Sequence, residues 1–185
     1  KNLLSKRTLN KYSRQIVLKD VGIIGQKKIF NSKILVVGAG GLGSPVIDLL
    51  VRAGVGFLGI IEDDKVDYSN LHRQTLYDYN DVGKYKSDVV KKKIKLINDR
   101  IRLKIFQERA NDKNLSKILP KFDIIVDGTD NFPTKFLLNK YSLKYKKKLV
   151  IGAISKFDGH IFSFDFSRKK IPVSYTHLTL PTSND

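Results

Sequence analysis

The feature that most limits how this chain can fold is a run of four aliphatic residues, Ile34-Leu35-Val36-Val37, followed at once by Gly38-Ala39-Gly40-Gly41-Leu42-Gly43. A continuous apolar run suits a strand covered on both faces, because a strand with one wet face alternates apolar and polar residues. The glycines keep the spacing G-x-G-x-x-G. The first permits a tight turn, the second lets the main chain approach a phosphate, and the third allows the next helix to pack closely. Residues Ser44 to Ala53 read as that helix, and Gly54 or Gly56 supplies the left-handed residue that ends it.

The same rhythm continues along the chain. Phe57 to Ile61 is a second buried strand, followed by a long connection, Glu62 to Gly83, rich in Asp, Asn and Tyr. A helix is expected over Lys84 to Asn98, with Val89, Val90, Ile94 and Ile97 facing inward. Ile101 to Phe106 alternates apolar and polar residues, as a sheet-edge or half-covered strand does. A short helix near Asn114 to Leu119 leads to a strand over Phe122 to Val126. Asn131 can cap a helix that carries Pro133 in its first turn and runs to about Tyr145. Leu149 to Ala153 is another strand, and His160 to Phe166 alternates as an antiparallel addition. Ahead of all this, Leu3 to Phe30 reads as helical and amphipathic, with Leu9, Tyr12, Ile16 and Val17 on one face and a turn at Asp20 to Gly22. Strands alternating with helices define an α/β class: a Rossmann-like parallel sheet with helices on both faces. The chain divides into an N-terminal helical segment (residues 1–30), a domain over 31–171, and a tail over 172–185. That tail, PVSYTHLTLPTSND, has no apolar period and many turn formers. It resembles translated adaptor read-through, so the native protein is expected to continue beyond about Ile171.

Composition narrows the function classes. With no Cys, disulfides, thiolate zinc sites and a cysteine nucleophile are excluded within these residues. No apolar run approaches the roughly 20 residues that span a bilayer. The basic start KNLLSKRTLNKYSRQ lacks the apolar centre of a signal peptide, so a cytoplasmic location is expected. Lys plus Arg number 35 against 18 acids, a formal charge of +17. Such charge attracts nucleic acid, anionic lipid or an acidic protein. Here, however, Lys dominates and is scattered, as in Lys91-Lys92-Lys93 and Lys146-Lys147-Lys148, without Arg and aromatic residues interleaved on one face. Neither a nucleic-acid nor a membrane partner is expected, while steering toward an acidic carrier protein stays open.

Four segments carry the chemistry. The glycine turn offers main-chain N–H groups and the positive end of a helix dipole to an anion. Glu62, at the end of the second strand, stands where an acid accepts hydrogen bonds from ribose hydroxyls. To this point an NAD-dependent oxidoreductase fits equally well. Ser69-Asn70-Leu71-His72-Arg73-Gln74 follows the second strand, Val82-Gly83-Lys84-Tyr85-Lys86 opens the next helix, and Asp127-Gly128-Thr129-Asp130-Asn131 ends a later strand. In a parallel sheet these strand ends share one edge, so Glu62, Arg73, Lys86 and Asp130 can gather around one nucleotide. Two cations suit a triphosphate, and Asp130 offers hard oxygen ligands to Mg²⁺. Hydride transfer needs neither. Taken singly, Arg73 and Lys86 read equally as surface charges, and Asp130 or Asn131 as a helix cap.

GAGGLG, SNLHRQ, VGKYK and DGTDN, in this order and spacing, resemble the MoeB/ThiF enzymes, relatives of the ubiquitin-activating enzymes. Tyr12-Ser13-Arg14-Gln15 is similar to that family's opening element, with Lys11 where Arg is usual. The resemblance implies an ATP-binding adenylation domain, working with Mg²⁺ as a homodimer. The reaction implied is adenylation of the C-terminal glycine of a ubiquitin-like sulfur-carrier protein ending in Gly-Gly, as in molybdopterin or thiamine biosynthesis. It implies that Gly38, Gly40, Gly41 and Gly43 form the phosphate loop and that Glu62, where the family usually has Asp, binds the ribose. Ser69, Asn70, Leu71, His72, Arg73 and Gln74 would line the nucleotide pocket. Lys86 would bind phosphate, Asp130 the magnesium ion with Asn131 beside it, and Arg14 would reach the partner subunit's ATP. The family's paired zinc ligands are absent from this sequence. A non-catalytic docking module of the same fold is the remaining alternative.

Overall fold

The computed structural model describes residues 5–168. Its centre is a six-stranded sheet of order β3-β2-β1-β4-β5-β6, with β1 at Lys33–Val37, β2 at Phe57–Ile61, β3 at Arg102–Phe106, β4 at Ile124–Asp127, β5 at Lys148–Ser155 and β6 at Asp158–Asp165. The first five strands run parallel and β6 pairs antiparallel with β5 from Lys148↔Asp165 to Ser155↔Asp158. The half-covered strand expected over Ile101 to Phe106 is the edge strand β3. The antiparallel addition is β6, starting two residues before His160.

Period-two geometry explains why β1 had to be apolar from Ile34 to Val37. Leu35 and Val37 join one core cluster with Leu115, Ile118, Phe122, Leu138 and Tyr141, which come from α6 (Asp112–Ile118), the turn after it and α7 (Phe132–Lys144). Ile34 and Val36 join the other, with Ile47, Val51, Val90 and Ile94 of α4 (Gly43–Ala53) and α5 (Lys86–Ile97). Each fully buried aliphatic side chain contributes about 1.5–3 kcal/mol, so both helix layers are held by the same few strand residues. Gly54, not Gly56, takes the left-handed conformation after α4, with φ 91°. No helix among the described residues is long and apolar enough to cross a membrane.

Several boundaries differ from the sequence expectation for local reasons. Helix α5 starts at Lys86 and not Lys84, because Lys84 and Tyr85 pair with the preceding connection: Val66 N–H donates to Lys84 O at 2.8 Å, and Lys65 bridges Tyr85. Helix α6 starts at Asp112, where Asn111 and Asn114 form a reciprocal capping box. Strand β4 begins two residues after Phe122, which instead lies in the core. The turn expected at Asp20 to Gly22 separates α3 (Gly22–Asn31) from the helical stretch before it, but that stretch is itself broken at Tyr12 into α1 (Lys6–Lys11) and α2 (Ser13–Ile16). Tyr12 at the first break is buried, edge-on to Phe30 at 5.0 Å, whereas Val17 is 75% exposed, so the expected four-residue stripe is split. Residues 172–185, read as a tail, lie outside the described residues, as do 1–4.

Gly59 in β2 lies beneath Phe122: a Cβ there would stand 2.3 Å from Phe122 Cζ. Gly59→Ala is expected to destabilise the fold by about 1–3 kcal/mol through overpacking, measured by urea denaturation. Gly159→Ala, where a Cβ meets nothing within 4 Å, is expected to stay within roughly 0.5 kcal/mol of the parent.

Candidate functional site

Register brings the strand ends to one edge. Val37 lies beside both Ile61 and Asp127, Ile61 beside Phe106, and Asp127 beside Ile151. The residues that follow each strand therefore open into a single cleft of about 760 Å³. Of the residues singled out in the sequence, Gly38, Gly40, Gly41, Glu62, Asn70, Arg73, Gln74, Lys86, Asp130 and Asn131 line it.

The turn from β1 into α4 forms its floor. Gly38 has φ 85°, and a Cβ on Gly43 would stand 1.9 Å from Gly38 O. Gly43 thus serves the packing and does not itself line the cleft. No side chain caps α4; Ser44 N–H already donates to Gly40 O at 2.8 Å and Pro45 has no N–H, so the donors that face a ligand are those of the glycine turn running into the helix. Two side chains hold the turn. Glu62 is buried; its Oε2 accepts from Ala39 N–H at 2.7 Å and its Oε1 from Asp64 N–H at 2.8 Å. Each carboxylate oxygen keeps a further lone pair for a ribose hydroxyl. The Tyr77 hydroxyl donates to Ala39 O at 2.8 Å, and burial, helped by the charges of Glu62, Asp64 and Asp81, pushes its pKa up, so it stays a donor. Gln74 is buried under Gly40, its Oε1 without a hydrogen-bond partner among the described residues.

The cations approach from the connection between β2 and α5. The Arg73 stem packs along Gly41, its Cδ 3.5 Å from where a Cβ on that glycine would lie, while Nη1 donates to Ser69 O at 3.2 Å. Lys86 is the first residue of α5, buried, with Nζ 3.2 Å from Asp64 Oδ2. Burial of the Lys86 stem with the head group at the cleft fixes its position as a surface lysine never would be. Asp130 is exposed and, among the described residues, forms neither an ion pair nor a side-chain hydrogen bond. Asn131 Oδ1 accepts from Thr134 N–H at 3.0 Å and caps α7, so only its amide group faces a ligand.

Three residues of the SNLHRQ segment do not converge as expected. Ser69 donates from its N–H to Asp67 at 2.8 Å on the turn Tyr68–Asn70, Leu71 packs against the α4–α5 core cluster, and His72 is exposed with Nε2 3.4 Å from Arg73 Nη1. None of the three lines the cleft, because a turn points successive side chains in different directions. Arg14 is exposed on α2 and also lies outside the cleft.

In the cleft, and buried beneath its lining, are groups to which sequence reasoning gave no role of their own. Asp127 is fully buried; its Oδ1 accepts from Thr129 N–H and Oγ1, and its Oδ2 lies 3.2 Å from Lys135 Nζ, which also donates to Gly152 O at 2.9 Å. One oxygen each of Glu62, Asp63 and Asp64 lie within 4.8 Å of one another. Glu108 and Arg109 follow β3, and His160, read as an ordinary polar-face residue, also lines the cleft. An acid at a strand end was the available signal for Asp127; nothing local marked Lys135, eight residues on.

The model of the ThiF family matches residues 12–178. The chain is 44% identical over 160 residues to a sulfur carrier protein adenylyltransferase of Thermus thermophilus, covering 86% of this chain and 59% of that protein. It is 41% identical over 163 residues to a probable molybdopterin-synthase adenylyltransferase of Gracilaria tenuistipitata var. liui, covering 88% and 46%. The chain thus spans about half the length of the curated relatives it matches. Among solved structures, the E. coli tRNA N6-threonylcarbamoyladenosine dehydratase TcdA in complex with ATP superposes with a TM-score of 0.77 at 25% identity, over 83% of this chain and 64% of that one. E. coli MccB with ATP gives 0.73 at 30% identity, over 80% and 46%.

Removing one partner of the buried Asp127–Lys135 pair leaves an uncompensated charge, so Lys135→Met is expected to cost about 3–5 kcal/mol of stability. Asp127→Asn combined with Lys135→Met is expected to cost less than the sum of the single changes. Denaturant unfolding of the four proteins gives the coupling, and strict additivity would show that the two charges do not depend on each other.

Proposed function

Because the chain belongs to the ThiF family, we propose that it is the ATP-binding part of an adenylyltransferase that activates the C-terminal carboxylate of a ubiquitin-like sulfur-carrier protein. The observation that carries this reading is the meeting of Glu62, Arg73, Lys86 and Asp130 in one cleft over a glycine turn. These residues come from well-separated stretches of chain, and together they match a nucleoside triphosphate: a ribose acceptor, main-chain donors, two phosphate cations and an unengaged carboxylate. An NAD-dependent oxidoreductase would need a proton donor beside its substrate, and His72, in the segment after β2, does not line the cleft.

In the proposed reaction a carboxylate oxygen of the carrier forms a bond to the α-phosphorus of ATP. The bond from that phosphorus to the oxygen bridging to the β-phosphate breaks, and pyrophosphate leaves with the electron pair. A C-terminal carboxylate is ionised near neutral pH, so no general base is required. Glu62 orients the ribose. The N–H groups of the glycine turn leading into α4 receive phosphate oxygens, with Asn70 and Gln74 beside them, and Arg73 and Lys86 neutralise charge on the departing pyrophosphate. Lys86 first has to exchange Asp64 for phosphate. An exposed carboxylate with no protein partner fits a hard divalent cation, so Asp130 is assigned to Mg²⁺, which would supply further charge neutralisation when bound. Arg14 is assigned to the neighbouring subunit of a cytoplasmic homodimer, supported by the resemblance of Tyr12 to Gln15 to the family's opening element. The partner class is supported by the names of the relatives and by a solved neighbour, E. coli MccB with AMPCPP and MccA, at 31% identity and a TM-score of 0.71.

Carrier-dependent exchange of labelled pyrophosphate into ATP by the full-length protein tests the reading. Arg73→Ala and Asp130→Ala are each expected to slow exchange on the order of a hundredfold or more. Chelation of divalent cations is expected to abolish it and added Mg²⁺ to restore it. Unchanged exchange in both variants would overturn the assigned roles, and a folded protein that binds carrier without exchange would identify a docking module instead.

A further inference from the structure

The strand order lays out the cleft as a linear series of subsites. Read across the sheet, its lining comes from Glu108 to Ala110 after β3, Glu62 to Asp64 after β2, Gly38 to Leu42 after β1, Gly128 to Asn131 after β4, and Ala153 to Ser155 at the end of β5. His160 on β6 closes the series. Neighbouring strands stand about 4.8 Å apart, so the position of a ligand group across the sheet decides which strand end it meets. With ribose at Glu62 and phosphates over the glycine turn, the nucleotide takes up the β3-to-β1 side.

The leaving group and the nucleophile then have fixed sides. Arg73 and Lys86, the two cations that would hold pyrophosphate, come from the β2–α5 connection and from the first residue of α5. Displacement at phosphorus proceeds with the attacking and leaving oxygens roughly in line, so the carboxylate must arrive from the opposite side, over β4, β5 and β6. That side is built from Phe132 at the start of α7, Ile154 and Ser155 on β5, and His160.

Register fixes which way His160 faces. It lies opposite Ala153, and alternation puts it on the same face of β6 as Phe162 and Phe164. Phe164 is in the α6–α7 core cluster, and Phe162 packs against that cluster. His160 continues this row, its ring parallel to that of Phe162 within 16° at 6.1 Å, but it is exposed and reaches the cleft instead of the core. Its nitrogens form no hydrogen bond among the described residues. A polar ring carried on a paired strand, oriented by an aromatic neighbour, in a wall shared with Phe132, Ile154 and Ser155, is placed to meet the polar main chain of an extended peptide end.

We propose that His160 is a positioning residue for the acyl substrate, hydrogen-bonding the last residues of its C-terminal segment as the carboxylate reaches the α-phosphate. This rests on the adenylation reading and adds the side of approach and one residue that sets affinity for the second substrate. It makes His160 irrelevant to ATP itself. The lost hydrogen bond corresponds to about a tenfold change in KM.

The test is steady-state pyrophosphate exchange by the full-length protein with ATP and a ubiquitin-like sulfur-carrier protein ending in Gly-Gly, with His160→Ala and His160→Gln compared to the parent. Thermal unfolding of each confirms that the exposed substitution leaves the fold intact. His160→Ala is expected to raise KM for the carrier about tenfold with KM for ATP unchanged, and His160→Gln, which keeps a donor and an acceptor, to recover most of it. An unchanged carrier KM in His160→Ala, or a parallel rise in KM for ATP, would overturn the role of His160 while leaving adenylation standing. Absence of exchange in the parent protein would overturn the adenylation reading, and this assignment with it.

Discussion

The structure turns on the distance between Gly43 and the carbonyl of Gly38. At that point α4 comes so close to the end of β1 that a single methyl group would stand 1.9 Å from the carbonyl oxygen. Everything that makes the cleft depends on this closeness. It lets the helix start directly above the strand end, uncapped by any side chain, so that main-chain donors and not side chains form the floor. Looser packing would lift the helix from the sheet and expose the apolar face carrying Ile47 and Val51.

Around that turn, acids hold the scaffold while others remain for chemistry. Each oxygen of Glu62 accepts a hydrogen bond from a backbone N–H, one on the glycine turn and one on the following connection, so the residue proposed for the ribose also locks the loops it stands between. Asp127 is wholly committed, to Thr129 and Lys135, and through Lys135 to the end of β5. Asp130, three residues on, is committed to nothing among the described residues. The contrast has a plain cause. A buried carboxylate without partners is costly, so the one inside the fold is paired, and only the exposed one can be left for a cation.

Much of the fold was legible in the sequence because it rests on local rules: apolar runs for covered strands, Asn131 and Pro133 for the start of α7, alternation for β3 and β6. Within the N-terminal region the break at Tyr12 was missed, because the spacing of Leu9, Tyr12, Ile16 and Val17 fits a helix locally, while Tyr12 is drawn inward by Phe30 and Gly54. The site was legible to the extent that its residues directly follow strands. Ser69, Leu71 and His72 do not line the cleft, because motif membership does not say which way each side chain of a turn points. His160 was undervalued because its strand reads as an ordinary alternating edge.

By itself, then, the sequence determined the class of sheet, the glycine turn and the identity of the charged groups at the strand ends, since each follows from side-chain size, polarity and spacing within a few residues. Only the tertiary structure decided which charges are satisfied and which are left open. Whether Lys135 meets Asp127 or Lys86 meets Asp64 depends on strand order and register, which bring together residues 8 and 22 positions apart. The same order carries His160 from the far end of the chain into a cleft begun by Gly38. Hydrogen bonds and ion pairs act over a few ångströms of space, and separation along the chain does not measure that distance.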